Sequence, residues 1–152
     1  MGVEKLNIHN EGGLMFFKGL LRFLFKQGKE LDGDMTGLVD EVVIVSPKNL
    51  CGSPIIFKAV LDGRQIGHLN LTKYDGESIY FADIVVFHGY RCSGVGKKLI
   101  SEALYKCKLS GVKRIYGVIV GESGEFIEKE RLRELYKSQG FSVSGDNIEI
   151  FL

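Results

Sequence analysis

Apolar residues recur along this chain with two alternating periods, and each change of period marks the edge of an element. Glu4 to His9 predicts a short strand. Leu14, Phe17, Leu20, Leu21, Leu24 and Phe25 then predict a helix from about Leu14 to Gln27, with Gly19 lowering its propensity slightly. Glu41 to Val45 is apolar and β-branched until Ser46-Pro47 breaks it. The best hairpin signal is Pro54 to Leu61, Asp62-Gly63, then Gln65 to Leu71, because Asp-Gly adopts the positive φ that a type I′ turn requires. A strand from Ser78 to Phe87 follows, then a helix from Gly96 to about Leu109 with Leu99, Ile100, Ala103, Leu104 and Cys107 on one face. A strand from Arg114 to Val120, a helix near Phe126 to Gln139, and short strands around Phe141 and Ile148 to Phe151 complete the chain. Antiparallel hairpins mixed with helical crossovers predict a three-layer α+β domain.

Between the strand ending near Phe87 and the helix after Gly96 lies Phe87-His88-Gly89-Tyr90-Arg91-Cys92-Ser93-Gly94-Val95-Gly96-Lys97. A glycine-bearing turn opening a helix can aim several backbone N–H groups at an anion, because first-turn amides lack intrahelical partners and the macrodipole favours negative charge. Phosphate is the expected guest. A P-loop is excluded by Arg91 and Lys98 at positions where it needs glycine and a hydroxyl residue. The dinucleotide fingerprint is excluded by Leu99 where its third glycine belongs. What remains is Arg-x-x-Gly-x-Gly, from Arg91 through Gly94 to Gly96.

That pattern resembles the acyl-CoA-binding motif of the GCN5-related N-acetyltransferase (GNAT) family. Val86 and Tyr90-Arg91 fit the family's strand exit, often Val-x-Pro-x-Tyr-Arg, with His88 in place of proline. Further on, Leu135-Tyr136-Lys137-Ser138-Gln139-Gly140-Phe141 is similar to its second signature, Leu-Tyr-x-x-x-Gly-Phe. The resemblance covers roughly Ile55 to Leu152. It implies a three-layer α/β/α acyl-CoA N-acyltransferase-like fold with a mixed, mainly antiparallel central sheet. It also implies transfer of an acetyl group from acetyl-CoA, without a metal, to a primary amine by direct attack. The acceptor would be a small-molecule or peptide amine.

The resemblance assigns roles along the chain. Backbone N–H near Ile84, Val85 and Val86 would polarise the thioester carbonyl, and Cys92, Ser93, Gly94, Val95, Gly96 and Lys97 would hold the pyrophosphate, with Arg91 framing the turn. Tyr136 stands where the family often carries the acid that protonates the leaving thiolate; its plainer reading is a packing residue beside Leu132 and Leu135. Asp83 could deprotonate the incoming ammonium, directly or through water, or serve as an anchor for it or as a solvated strand residue. Glu122 competes for the role of base, and an ordered water chain is a third option. Lys129 replaces the asparagine often found seven residues before the motif tyrosine, and Gly121 to Gly124 makes the approach to the last helix glycine-rich.

Composition narrows the remaining options. With 20 Lys and Arg against 19 Asp and Glu, no field argues for nucleic acid as a partner. Cys51, Cys92 and Cys107 are odd in number and widely spaced, which argues for a reducing compartment, and the absence of a visible secretory pattern makes cytoplasm the expected location. A covalent role for Cys92 lacks a partner in sequence. His9, His68 and His88 show no metal-ligand spacing. Lys18, Arg22 and Lys26 stripe the first helix, which reads as a core helix, an acceptor-site wall or a basic membrane-surface helix, too short to span a bilayer. Membrane contact is not expected. The alternating charges from Glu128 to Glu134 predict a solvated helix face. The whole chain, 1–152, is expected to be one domain, as a monomer or homodimer, with a noncatalytic acyl-CoA-binding or protein-interaction domain as the alternative to an enzyme.

Overall fold

The computed structural model describes residues 37–73, 76–120 and 126–152. The strand and helix predicted for Glu4–His9 and Leu14–Gln27, and the candidate base Glu122, lie outside these residues. The described residues belong to one compact unit, Met35–Leu152.

A short helix α1 (Leu38–Glu41) precedes β1 (Val43–Val45). The strand therefore starts two residues later than its apolar run suggests. The hairpin of β2 (Ile55–Leu61) and β3 (Arg64–Lys73) turns at Asp62 and Gly63, with φ of 50° and 74°. Both values are positive, as the Asp-Gly signal requires. Then come β4 (Ser78–Val86), α2 (Val95–Leu109), β5 (Arg114–Val118), α3 (Phe126–Ser138), β6 (Ser142–Ser144) and β7 (Asn147–Phe151).

The strands form a mixed, mainly antiparallel seven-stranded sheet in the order β1-β2-β3-β4-β5-β7-β6, in which only β4 and β5 run parallel. This is the α+β class that the sequence predicts, with the topology of the acyl-CoA N-acyltransferase fold. Alternation along β2 buries Ile55, Phe57, Ala59 and Leu61 and exposes Ile56 and Lys58. On that buried face Leu69, Leu71, Ile79 and Phe81 meet Leu99, Ile100, Ala103 and Cys107 of α2 in one continuous core. Fully burying an aliphatic side chain of this kind contributes about 1.5–3 kcal/mol relative to exposure, so this face supplies the main drive to fold.

Two irregularities shape the centre of the sheet. Asn70 pairs with Asp83 but Leu71 pairs with Phe81, so Ala82 is an extra residue in β4, a bulge that bends the strand. On the other side, the ladder with β5 runs from Ser78↔Arg114 to Phe81↔Gly117 and stops there, while β4 continues to Val86. Gly117 makes the last contact possible: a Cβ there would lie 2.5 Å from the Phe81 carbonyl oxygen. The sheet opens where bulge and ladder end coincide.

Candidate active site

The open edge of β4 presents specific backbone groups. Phe87 N–H donates to the Ile66 carbonyl (2.9 Å), and with Val86 opposite Gly67 and Val85 opposite His68, antiparallel alternation commits Val85 N–H to β3. Ile84 and Val86 N–H consequently face the gap beside β5. The sequence groups Ile84, Val85 and Val86 together; strand geometry separates Val85 from the other two.

Beyond Val86 the chain reverses tightly. Tyr90 N–H bonds the Phe87 carbonyl (3.0 Å) around Gly89 at φ 85°. Ser93, buried, donates its hydroxyl to the Tyr90 carbonyl. Cys92 at φ 60° and Gly94 at φ 89° both occupy left-handed backbone, which lets the turn wind directly into α2. Gly94 caps that helix without a side-chain bond. The Val95, Gly96 and Lys97 amides open it, in the arrangement that favours an anion. Gly96 has a packing reason as well, since a Cβ there would sit 3.3 Å from Leu135 Cδ2 of α3. Lys98 Nζ donates to the Val39 carbonyl (2.9 Å), fastening α1 against the turn.

Arg91 does not extend into this cradle. Its Nε donates to the Val86 carbonyl (3.0 Å), and its guanidinium lies 3.6 Å from Glu128 on the first turn of α3. It ties the start of the turn to the end of β4 and to the helix carrying Tyr136. Cys92 is exposed.

Tyr136 is only 3 % exposed and packs edge-on against Phe81 and Phe141, with ring centroids 5.4 and 5.6 Å away. Each such pair adds about 0.5–1.5 kcal/mol beyond area burial. Burial, and secondarily the negative charge of Asp83, push its phenol above the ordinary tyrosine range. The hydroxyl therefore stays protonated as a donor. Asp83 itself is exposed, on the opposite face of β4, and its oxygens accept from Asn70 Nδ2 at 2.8 and 3.1 Å. His68 Nε2 lies 3.6 Å from Asp83 Oδ1. Asp83 and Tyr136 thus lie on the two sides of the open edge, and the Asp83 charge adds to burial in holding the phenol's proton.

The Glu128 to Glu134 run is more than a solvated face. Arg133 pairs with Glu130 one turn away, but Lys129 and Arg133 also reach Asp146 at 2.8 and 2.6 Å in the β6–β7 turn. Lys129, in the position of the family's asparagine, ties α3 to that hairpin. Its hydrogen bond, opposed by partial desolvation and aided by Arg133, holds the Asp146 carboxyl below the usual aspartate range. A depressed carboxylate stabilises the fold above its unfolded pKa, and the contribution disappears as pH falls through the folded value. Asp146→Asn is expected to be less stable than the parent at pH 7, with the difference closing below about pH 4. Denaturant unfolding at pH 7 and across the interval below about pH 4 measures it, and a difference that stays constant to the lowest pH would disconnect Asp146 from these cations.

Asn70, His68 and Glu128 carry no sequence motif. The Asp62-Gly63 hairpin fixes the register of β2 and β3, but placing Asn70 opposite Asp83 also requires the bulge at Ala82.

The family profile for the acetyltransferase (GNAT) domain matches residues 53–143. The chain belongs to the GNAT acetyltransferase family. It is similar to a GNAT acetyltransferase from Elizabethkingia anophelis solved with acetyl-CoA bound, at 15 % identity and a TM-score of 0.61 over 74 % of this chain and 99 % of that one. It is also similar to a putative streptothricin acetyltransferase from Bacillus anthracis in complex with acetyl coenzyme A, at 26 % identity and a TM-score of 0.52, covering 67 % of this chain and 62 % of that one. Ard1 from Thermoplasma volcanium matches at 17 % identity and a TM-score of 0.52, over 64 % and 70 % of the two chains. No curated protein sequence matches. Among the described residues no helix is long and apolar enough to cross a membrane.

Proposed function

We propose that this protein transfers an acetyl group from acetyl-CoA to a primary amine of a small molecule or peptide by direct attack. The observation that carries this reading is the parting of β4 from β5 after Phe81↔Gly117, with the glycine turn at one end of the gap and Asp83 and Tyr136 on its two sides. The amides from Cys92 to Lys97 hold the pyrophosphate, and the thioester lies along the gap. Ile84 and Val86 N–H face the carbonyl oxygen, where negative charge builds in the transition state.

Asp83 takes a proton from the incoming ammonium, and the freed lone pair attacks the thioester carbon. The C–N bond forms and the C–S bond breaks. Tyr136 gives its proton to the departing sulfur and is restored through water by the proton that nitrogen sheds on becoming an amide. Protonation of Asp83 removes the charge that helps hold the phenol's proton, so the base step prepares the acid.

Release of free CoA from acetyl-CoA against a panel of primary amines tests the reaction; no release with any amine would count against it. Asp83→Asn is expected to depress activity most at low pH, where the acceptor is mainly protonated, with partial recovery as rising pH supplies neutral amine. A pH-independent loss would make Asp83 an acceptor anchor instead.

A further inference from the structure

Among the described residues, Asn70 Oδ1 is the one buried side-chain oxygen or nitrogen without a hydrogen-bond partner. Its orientation is dictated by chemistry. A carboxylate only accepts, so the amide must turn Nδ2 toward Asp83, as the 2.8 and 3.1 Å contacts record, and the amide oxygen is left facing no donor. The cross-strand neighbour on the other side, Ile56, supplies none. Buried acceptors are rarely left this way, because the lost hydration is not repaid.

Protonated Asp83 changes the balance. A carboxylic acid has one O–H and one carbonyl; a primary amide has one carbonyl and an NH2. The two are complementary, and a turn of the amide lets Asn70 Oδ1 accept from the acid while Nδ2 continues to donate to its other oxygen.

We propose that Asn70 is a positioning residue for Asp83 that matches both of its states, donating N–H to the carboxylate before proton transfer and accepting the O–H of the acid afterwards. The inference rests on the reading of Asp83 as the base. The moving proton comes from the acceptor ammonium, whose N–H electron pair remains on nitrogen, and it leaves Asp83 to water after the product departs. Asn70 lends geometry throughout and ends each cycle unchanged.

Asn70→Ala separates this role from a scaffolding one. The substitution removes an unpaired buried acceptor together with the N–H bonds to Asp83, whose exposed carboxylate is rehydrated, so the melting temperature is expected to stay close to the parent's and acetyl-CoA affinity unchanged, while kcat falls on the order of 10- to 100-fold. In an Asp83→Asn background the same substitution should have little further effect, since residues acting as a unit are not additive. Three results would each overturn the proposal: full activity of Asn70→Ala, an equal loss with and without Asp83, or loss of folding or acetyl-CoA binding in step with activity. Full activity of Asp83→Asn would instead remove the base reading, and the proposal with it. An active Asn70→Ala beside a crippled Asp83→Asn would sink only the role of Asn70.

Discussion

Replacing Gly94 and Gly96 together by glutamate is expected to weaken acetyl-CoA binding beyond roughly 100-fold, because like charges pressed together across a binding surface cost several kcal/mol. The carboxylates would stand where the turn's amides are proposed to meet the pyrophosphate. Backbone strain must be separated from charge. Gly94 holds φ 89°, and a Cβ there would come 3.0 Å from Val39 Cγ2, so any side chain costs on the order of 1–3 kcal/mol of stability. The alanine pair at the same positions carries that strain without the charge and serves as the reference. Calorimetric titration of both variants, each confirmed folded by thermal melting, measures the difference. A folded glutamate pair that binds like the parent would end the assignment of a phosphate cradle to this turn.

Tyr136→Phe is expected to lower kcat and kcat/KM together, by roughly 10- to 1000-fold, with acetyl-CoA affinity and melting temperature close to the parent's. Stability survives because the ring, and with it the edge contacts to Phe81 and Phe141, is kept. Activity is expected to fall because, in the proposed mechanism, the sulfur loses a donor that burial keeps protonated. Steady-state kinetics with an identified acceptor, paired with single-turnover measurement so that product release is not the limiting step, decides it. Undiminished turnover would make Tyr136 a packing residue and water the proton source.

Strong local signals were enough for much of this architecture. Alternation and Asp62-Gly63 place the β2–β3 hairpin, and the glycine turn and its helix are readable within a residue because left-handed backbone at Gly94 and the apolar stripe of α2 are local demands. Tertiary context decides the rest. Nothing local distinguishes Leu38–Glu41, a helical turn, from the β-branched residues after it. The bulge at Ala82 is invisible without the partner strand, so the bond between Asn70 and Asp83 and the separate fate of Val85 N–H are hidden as well. The charges of α3 suggest solvent and intrahelical pairs; Asp146, arriving from the next hairpin, draws Lys129 and Arg133 into cross-element bonds. A phenol's ordinary acidity also says little about Tyr136, whose protonation is set by neighbours far away in sequence.

The parallel ladder between β4 and β5 spans four residue pairs, and it is the only strand pairing among the described residues that joins the antiparallel half β1 to β4 with the half β5 to β7. Mechanically the sheet is two stiff plates stitched by a short seam, with α2 carrying the chain from one plate to the other. The proposed reaction takes place just past the last stitch. A donor lying there would touch both plates at once, so its binding would brace the joint as well as fill a cleft, and a disturbance of the Gly117 close contact at the end of the seam would be felt as a change in the spacing of the proposed catalytic groups.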